Sequence, residues 1–167
     1  KGVLLREEKP CYYIYELVMN GRTQTGLVAV SSIEDYENDI IKKHEFTRPE
    51  KEQDRINHIR TSGAQTGNVF LAYRDVDSIN QLIDEWKKKT ALYDFTAQDG
   101  ISHRIWVIDD ALTIQQISDL FVKDVPFTYI ADGHHRAASA AKVRRSLEAG
   151  YHENANYFLT TLFPANQ

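Results

Sequence analysis

The run Phe127-Thr128-Tyr129-Ile130-Ala131-Asp132-Gly133-His134-His135-Arg136-Ala137-Ala138 decides how this chain is read. Pro126 to Ala131 is apolar and aromatic enough to predict a strand. Asp132-Gly133 then predicts a sharp turn, because glycine bends freely and leaves its N–H open to a ligand. A helix follows at once, from His134 to about Leu147, with a stop near Gly150. The first N–H groups of a helix have no intrahelical partner, and the helix dipole adds partial positive charge there. Two imidazoles and a guanidinium crowd onto that same end, where each cation opposes the dipole at a cost of roughly a few tenths of a kcal/mol or more. A bound phosphate removes the conflict, since it accepts from backbone N–H, from Arg136 and from a histidine together. The plain alternative is that Asp132 caps the helix and the histidines are ordinary satisfied polar groups.

Outward from this turn, Ala137, Ala138, Ser139, Ala140 and Ala141 let the helix lie close on a sheet. Lys142, Arg144 and Arg145 read as a solvated face near the C-terminus, where cations are favourable. His134 and His135 alone make a poor metal site, because neighbours on a helix point about 100° apart. One of them with Asp132 can reach a metal that bridges phosphates. Ser139 has no Gly-x-Ser-x-Gly elbow around it and is not read as a nucleophile.

A second constellation is His44-Glu45-Phe46-Thr47-Arg48-Pro49-Glu50-Lys51. It reads as a loop entering a helix at Pro49 that runs to about Ser62, with Gly63 and Gly67 after it. It is not a zincin motif, since no histidine follows three residues after Glu45. Arg48, Lys51 and Arg55 recur at i, i+3 and i+7 as a basic stripe. With only Ile56 and Ile59 clearly apolar, the helix is expected to be polar and solvated. The functional reading makes Glu45 a general base or a metal ligand and sets the stripe against phosphate.

The rest of the chain supplies a scaffold. Tyr12 to Met19 and Arg22 to Val30 flank Asn20-Gly21, the strongest short hairpin signal. Ser32 with Asp35 predicts a capped short helix. Asn68 to Tyr73 predicts a strand. A helix carrying Ile79, Leu82, Ile83 and Trp86 follows, capped by Asp77 or Ser78. Ala91 to Thr96 and Ser102 to Ile108 flank Asp99-Gly100 as a second hairpin. Thr113 with Gln116 suggests a capping box for a helix through Phe121, and Tyr157 to Phe163 one more strand. Strands arrive both as hairpins and in β-α-β order, so the expected fold is α/β with an α+β tendency, a mixed sheet with flanking helices. Gly21 to Gly26 has Walker spacing but lacks the following Lys-Ser/Thr and enters a strand, so it is no P-loop.

Composition bounds the function. The chain has 167 residues, 42% hydrophobic and 26% charged, enough for one globular domain over residues 1–167. Twenty basic against 24 acidic residues leave −4, so there is no global field to draw nucleic acid or anionic membrane. Any anion must be held by local geometry. Cys11 is the single cysteine, so no internal disulfide forms, and it reads as a buried thiol in a strand. No run is long enough to span a membrane, and no signal peptide is evident. The reading is cytoplasmic, with a homo-oligomer admissible. The chain begins at Lys1 inside charged sequence and reads as the central fragment of something longer.

The Asp132–Arg136 turn, with His44-Glu45-Phe46-Thr47, Lys51 to Arg55 and the strand Asn68 to Tyr73, resembles an uncharacterised prokaryotic family, domain of unknown function 1015. The turn by itself is also similar to the phosphate-binding turn of the ParB and sulfiredoxin superfamily, which includes free-serine kinases. That likeness implies bound nucleotide phosphates and transfer to a small hydroxyl. Sulfiredoxins place a reactive cysteine where His134 stands, so their repair chemistry is not expected, and the helix-turn-helix of ParB proteins is not found here.

Three functions follow as expectations. The first is an ATP-dependent small-molecule kinase. Gly133, His134, His135 and Arg136, with His44, Thr47, Lys51 and Arg55, would hold a nucleoside triphosphate. Asp132 and Glu45 would bind Mg²⁺, and Glu45, Asp132 or His134 would serve the proton transfer. The second is a nucleotide- or anion-responsive binding module without turnover. The third is a simple phosphate or sulfate site, or a structural turn, in a domain that binds protein partners.

Overall fold

A computed structural model describes residues 7–147 and 152–167. Eight strands form one mixed sheet: β1 (Tyr12–Met19), β2 (Arg22–Ser32), β3 (Ile41–Lys42), β4 (Val69–Tyr73), β5 (Tyr93–Thr96), β6 (Ser102–Ile108), β7 (Thr128–Asp132) and β8 (Tyr157–Pro164). Their spatial order is β3-β7-β4-β8-β2-β1-β6-β5. Among the described residues five α-helices accompany them, α1 (Ile33–Glu37), α2 (Pro49–Ser62), α3 (Asp77–Lys87), α4 (Ala111–Asp124) and α5 (His134–Arg145), with a short 3-10 helix at Glu153–Asn156. The mixed α/β architecture is the expected one.

Both hairpins form where the turn residues direct. β1 and β2 pair antiparallel around Asn20 and Gly21, at φ 53° and 79°, and β5 and β6 pair antiparallel around Asp99-Gly100. Pairings between distant segments complete the sheet. β8 runs antiparallel to β2 and parallel to β4, and β7 runs antiparallel to β4 and parallel to the two-residue β3.

Register sorts the core onto one face. Trp106, Ile14, Leu27, Leu162, Leu71 and Ile130 are neighbours across six strands, and all are buried. Ile33, Ile79, Ile83, Ile117 and Ala137, Ala140 and Ala141 pack into the same cluster from the helices. The opposite face carries exposed Val30, Phe95 and Tyr129. The small residues of α5 let it lie close, as expected. Ala137 through Ala141 are all buried, and α5 packs on α2 and α1 as well as on β4 and β8.

Several local expectations need correction. The hydroxyl of Ser32 caps α1 as read, but α3 has Val76 at its N-cap, with no side-chain bond. Asp77 already lies inside the helix. Asp110, not Thr113, caps α4: its carboxylate accepts from both the backbone N–H and the hydroxyl of Thr113, at 2.8 and 2.7 Å. That moves the helix start earlier, and the helix runs on to Asp124. Cys11 is only partly buried and lies just before β1. The cations of α5 are not a bare solvated face. Lys142 pairs with Glu52, Arg144 donates to Asn156, and Arg145 pairs with Glu37. The expected stop near Gly150 lies outside the described residues. Among those described, no helix is long and apolar enough to cross a membrane.

Candidate functional site

β7 leaves the sheet at Asp132, and Gly133 takes φ 98° at the N-cap of α5. That left-handed geometry is open to glycine and strained for other residues. No side chain caps the helix, so the plain reading of Asp132 as the cap is not what the structure shows. The carbonyl of Gly133 accepts from the N–H groups of Arg136 and Ala137. The N–H groups before them belong to the uncapped first turn.

Arg136 folds back over this turn. Its guanidinium pairs with Asp132, one helical turn before it. A Cβ placed on Gly133 would stand 3.0 Å from its Nε, and one on Gly67 would stand 2.6 Å from its Cδ. Two glycines therefore leave the channel along which this side chain runs, and Gly67 does more than follow α2.

The two histidines diverge. His134 is 4% exposed, with Nδ1 at 3.4 Å from the Glu45 carboxylate and its ring edge-on to His44 at 4.4 Å. A carboxylate only accepts, which assigns the ring proton to Nδ1. Nε2 is buried and has no hydrogen-bond partner. Burial, then the nearby His44, holds the imidazole below its ordinary pKa, and Glu45 and Asp132 oppose that shift. His135 instead accepts from the Arg48 backbone N–H at Nε2, 3.0 Å away, so its proton belongs on Nδ1.

A cavity of about 610 Å³ opens here. Its wall includes Glu45, Lys51, Arg55, Asp132, Gly133, His134, His135 and Arg136, so eight of the residues singled out from sequence meet at one place. Two others do not reach the wall. His44 packs on the His134 ring, and the Thr47 hydroxyl donates to Glu52. Arg48, whose backbone N–H goes to His135, does not line the cavity, so only Lys51 and Arg55 of the expected basic stripe reach it. Glu50, which has no site role in the sequence reading, and Asp54, read there as a local partner of Arg55, also line the cavity beside those two cations.

Sequence reading missed Glu52. Helix α2 is not simply solvated: Glu52 and Ile56 are buried against α5. Burial alone would push the Glu52 carboxyl up, but the bonds from Lys142 and Thr47 outweigh it and hold it below its ordinary value. The signal was its position one turn before Ile56, on the apolar stripe. Among the described residues, no three His, Cys, Asp or Glu side chains are grouped to hold a metal ion.

The model of a family described as protein of unknown function, DUF1015, matches residues 1–167. Over 90 residues the chain is 32% identical to a probable exo-1,4-beta-xylosidase, bxlB, of Aspergillus terreus. That stretch is 54% of this chain and 11% of the length of the xylosidase. No solved structure matches the chain. None of these comparisons shows the likeness to the ParB and sulfiredoxin superfamily that the turn led us to expect.

Proposed function

The chain belongs to the DUF1015 family of proteins of unknown function, and on that premise we propose that the head of α5 binds the phosphates of a nucleoside triphosphate, ATP foremost, for transfer to a small-molecule hydroxyl. One observation carries the reading: the uncapped N-terminus of α5 faces a cavity that Lys51, Arg55 and Arg136 also line. Backbone N–H groups, a helix dipole and three permanent cations are what a polyphosphate needs. The same wall bears Glu45, Glu50, Asp54 and Asp132. A bare polyanion would be repelled by those carboxylates, whereas the Mg²⁺ complex would be matched by them. Such an ion would neutralise phosphate charge, with Asp132 and Glu45 as its nearest protein ligands.

Turnover is favoured over passive binding because Glu45 lines the phosphate cavity itself. An enzyme needs a carboxylate near the reacting group and a sensor does not. The similarity to the xylosidase covers too little of that enzyme to transfer its substrate.

The test is calorimetric titration of ATP, CTP and GTP, with and without Mg²⁺, into the wild type and Arg136→Ala. The expected result is saturable, Mg²⁺-dependent binding that the variant weakens by roughly 10- to 100-fold, the value of a charge-assisted contact. With binding in hand, Glu45→Gln should abolish product formation from small hydroxyl compounds even at Mg²⁺–ATP concentrations that saturate the variant. No heat from any nucleotide would end the kinase reading. Binding without turnover on any hydroxyl compound would leave the responsive module.

A further inference from the structure

We propose that Glu52 positions this site, holding the His44–Arg48 loop on the head of α5 so that Glu45 stays against His134. A carboxylate that is 3% exposed is costly unless every oxygen is used. Here each one is. Oε1 accepts from the Thr47 hydroxyl, which belongs to the loop, and Oε2 accepts from the Lys142 ammonium, which belongs to α5. The Glu52 backbone carbonyl accepts from the Ser139 hydroxyl of α5 at 3.2 Å. One residue of α2 therefore fastens the loop on one side and α5 on the other. The loop has a second tie, the Arg48 N–H on His135 at 3.0 Å. Just before these two ties stand His44 and Glu45, the residues that meet His134.

Glu52 is not part of the cavity wall, so its influence on a ligand must pass through the loop. Its charge matters as well as its shape. A glutamine that turns its oxygen to Thr47 turns its NH₂ to the Lys142 ammonium, donor against donor. The competing account makes Glu52 and Lys142 an ordinary pair that staples α2 to α5, with Thr47 incidental.

Hydrogen–deuterium exchange on the ligand-free protein separates the two, using Thr47→Val, Thr47→Ser and Glu52→Gln. Thr47→Val cuts the loop tie and leaves the Lys142 pair. It should speed exchange of the Arg48 amide, the loop N–H held by His135, by roughly three- to tenfold, the loss of one hydrogen bond, with α2 and α5 as in wild type. Thr47→Ser should restore wild-type exchange. Glu52→Gln should free the same loop, and if it fails to fold Thr47→Val still decides. Wild-type exchange of the loop in Thr47→Val would overturn the proposal.

A second readout, which rests on the phosphate reading above, is Mg²⁺–ATP affinity, expected to fall several-fold in Thr47→Val and to recover in Thr47→Ser. Failure of the wild type to bind Mg²⁺–ATP would count against that reading, and the exchange result would judge the positioning role independently.

Discussion

His134 is the residue under most tension. It is buried at the head of a helix, edge-on to another histidine, and one of its nitrogens has no partner. Burial and His44 both disfavour the imidazolium, so its folded pKa lies below the ordinary 6.5 despite Glu45 and Asp132. The sign follows from linkage. The unfolded chain binds the proton more readily than the folded one, so the stability tied to the neutral ring is fully present above 6.5. It is lost as the pH falls from there toward the depressed folded value. Thermal melts between about pH 7.5 and pH 5 should therefore fall more steeply for wild type than for His134→Gln, which does not titrate in that range. Parallel slopes would mean that another group dominates this limb and that His134 is not held neutral. An anion seated against the ring would favour the charged form, so saturating Mg²⁺–ATP should flatten the wild-type slope.

At the scale of elements, the strand–turn–helix works because two glycines give Arg136 its path. They predict different costs. An alanine at Gly133 meets both φ 98° and the guanidinium, so folding and binding should suffer together. At Gly67 no left-handed angle is involved, and the new Cβ meets the middle of a flexible side chain at 2.6 Å. Gly67→Ala should stay within about 1 kcal/mol of wild-type stability in urea while losing Mg²⁺–ATP affinity as Arg136→Ala does. Undiminished affinity would show that Arg136 does not bind phosphate along this path. The difference between the glycines also marks what was legible. Asn20-Gly21, Asp99-Gly100 and Asp132-Gly133 state their turns locally, and the two hairpins and the β7–α5 turn formed accordingly. Gly67 reads as a helix terminator, because its function depends on a side chain 69 positions later. The same distance problem hid Glu52, whose partner Lys142 is 90 residues away, and the parallel pairing of β4 with β8. Charged residues on a polar helix look solvated until the facing helix is known. The cap of α4 failed for a different reason. Asp110 and Thr113 are both good caps three residues apart, and the carboxylate takes the N–H and the hydroxyl together.

At the scale of the whole molecule, the core face of the sheet changes character along its strands, and the change is remote from the site. Two residues beyond the apolar row through Ile14 lies an ionic one, in which Glu16 stands between Thr25 and Arg104. Glu16 is 5% exposed and is neutralised by Lys87 of α3 at 2.6 Å and by Arg104 at 3.5 Å, with the Thr25 hydroxyl at 3.3 Å. This cluster fixes α3 on β1, as the bond from the Trp86 indole to the Val107 carbonyl fixes it on β6. Glu16→Gln keeps the shape and removes the charge. Lys87 retains some contact with water, so the loss should be roughly 1–3 kcal/mol, less than for a fully enclosed pair. From β1 to β7 there are four strand spacings, roughly 19 Å, with β2, β8 and β4 between. Perturbations that far apart with no shared partner are expected to add independently. Glu16→Gln should therefore lower the urea midpoint and leave Mg²⁺–ATP affinity unchanged. Combined with Thr47→Val, it should give the sum of the two stability losses and only the affinity loss of the second. A weaker ligand in Glu16→Gln alone would show that the head of α5 depends on packing across the whole sheet, and the local account, in which the loop, Glu52 and the two glycines set the site, would have to give way.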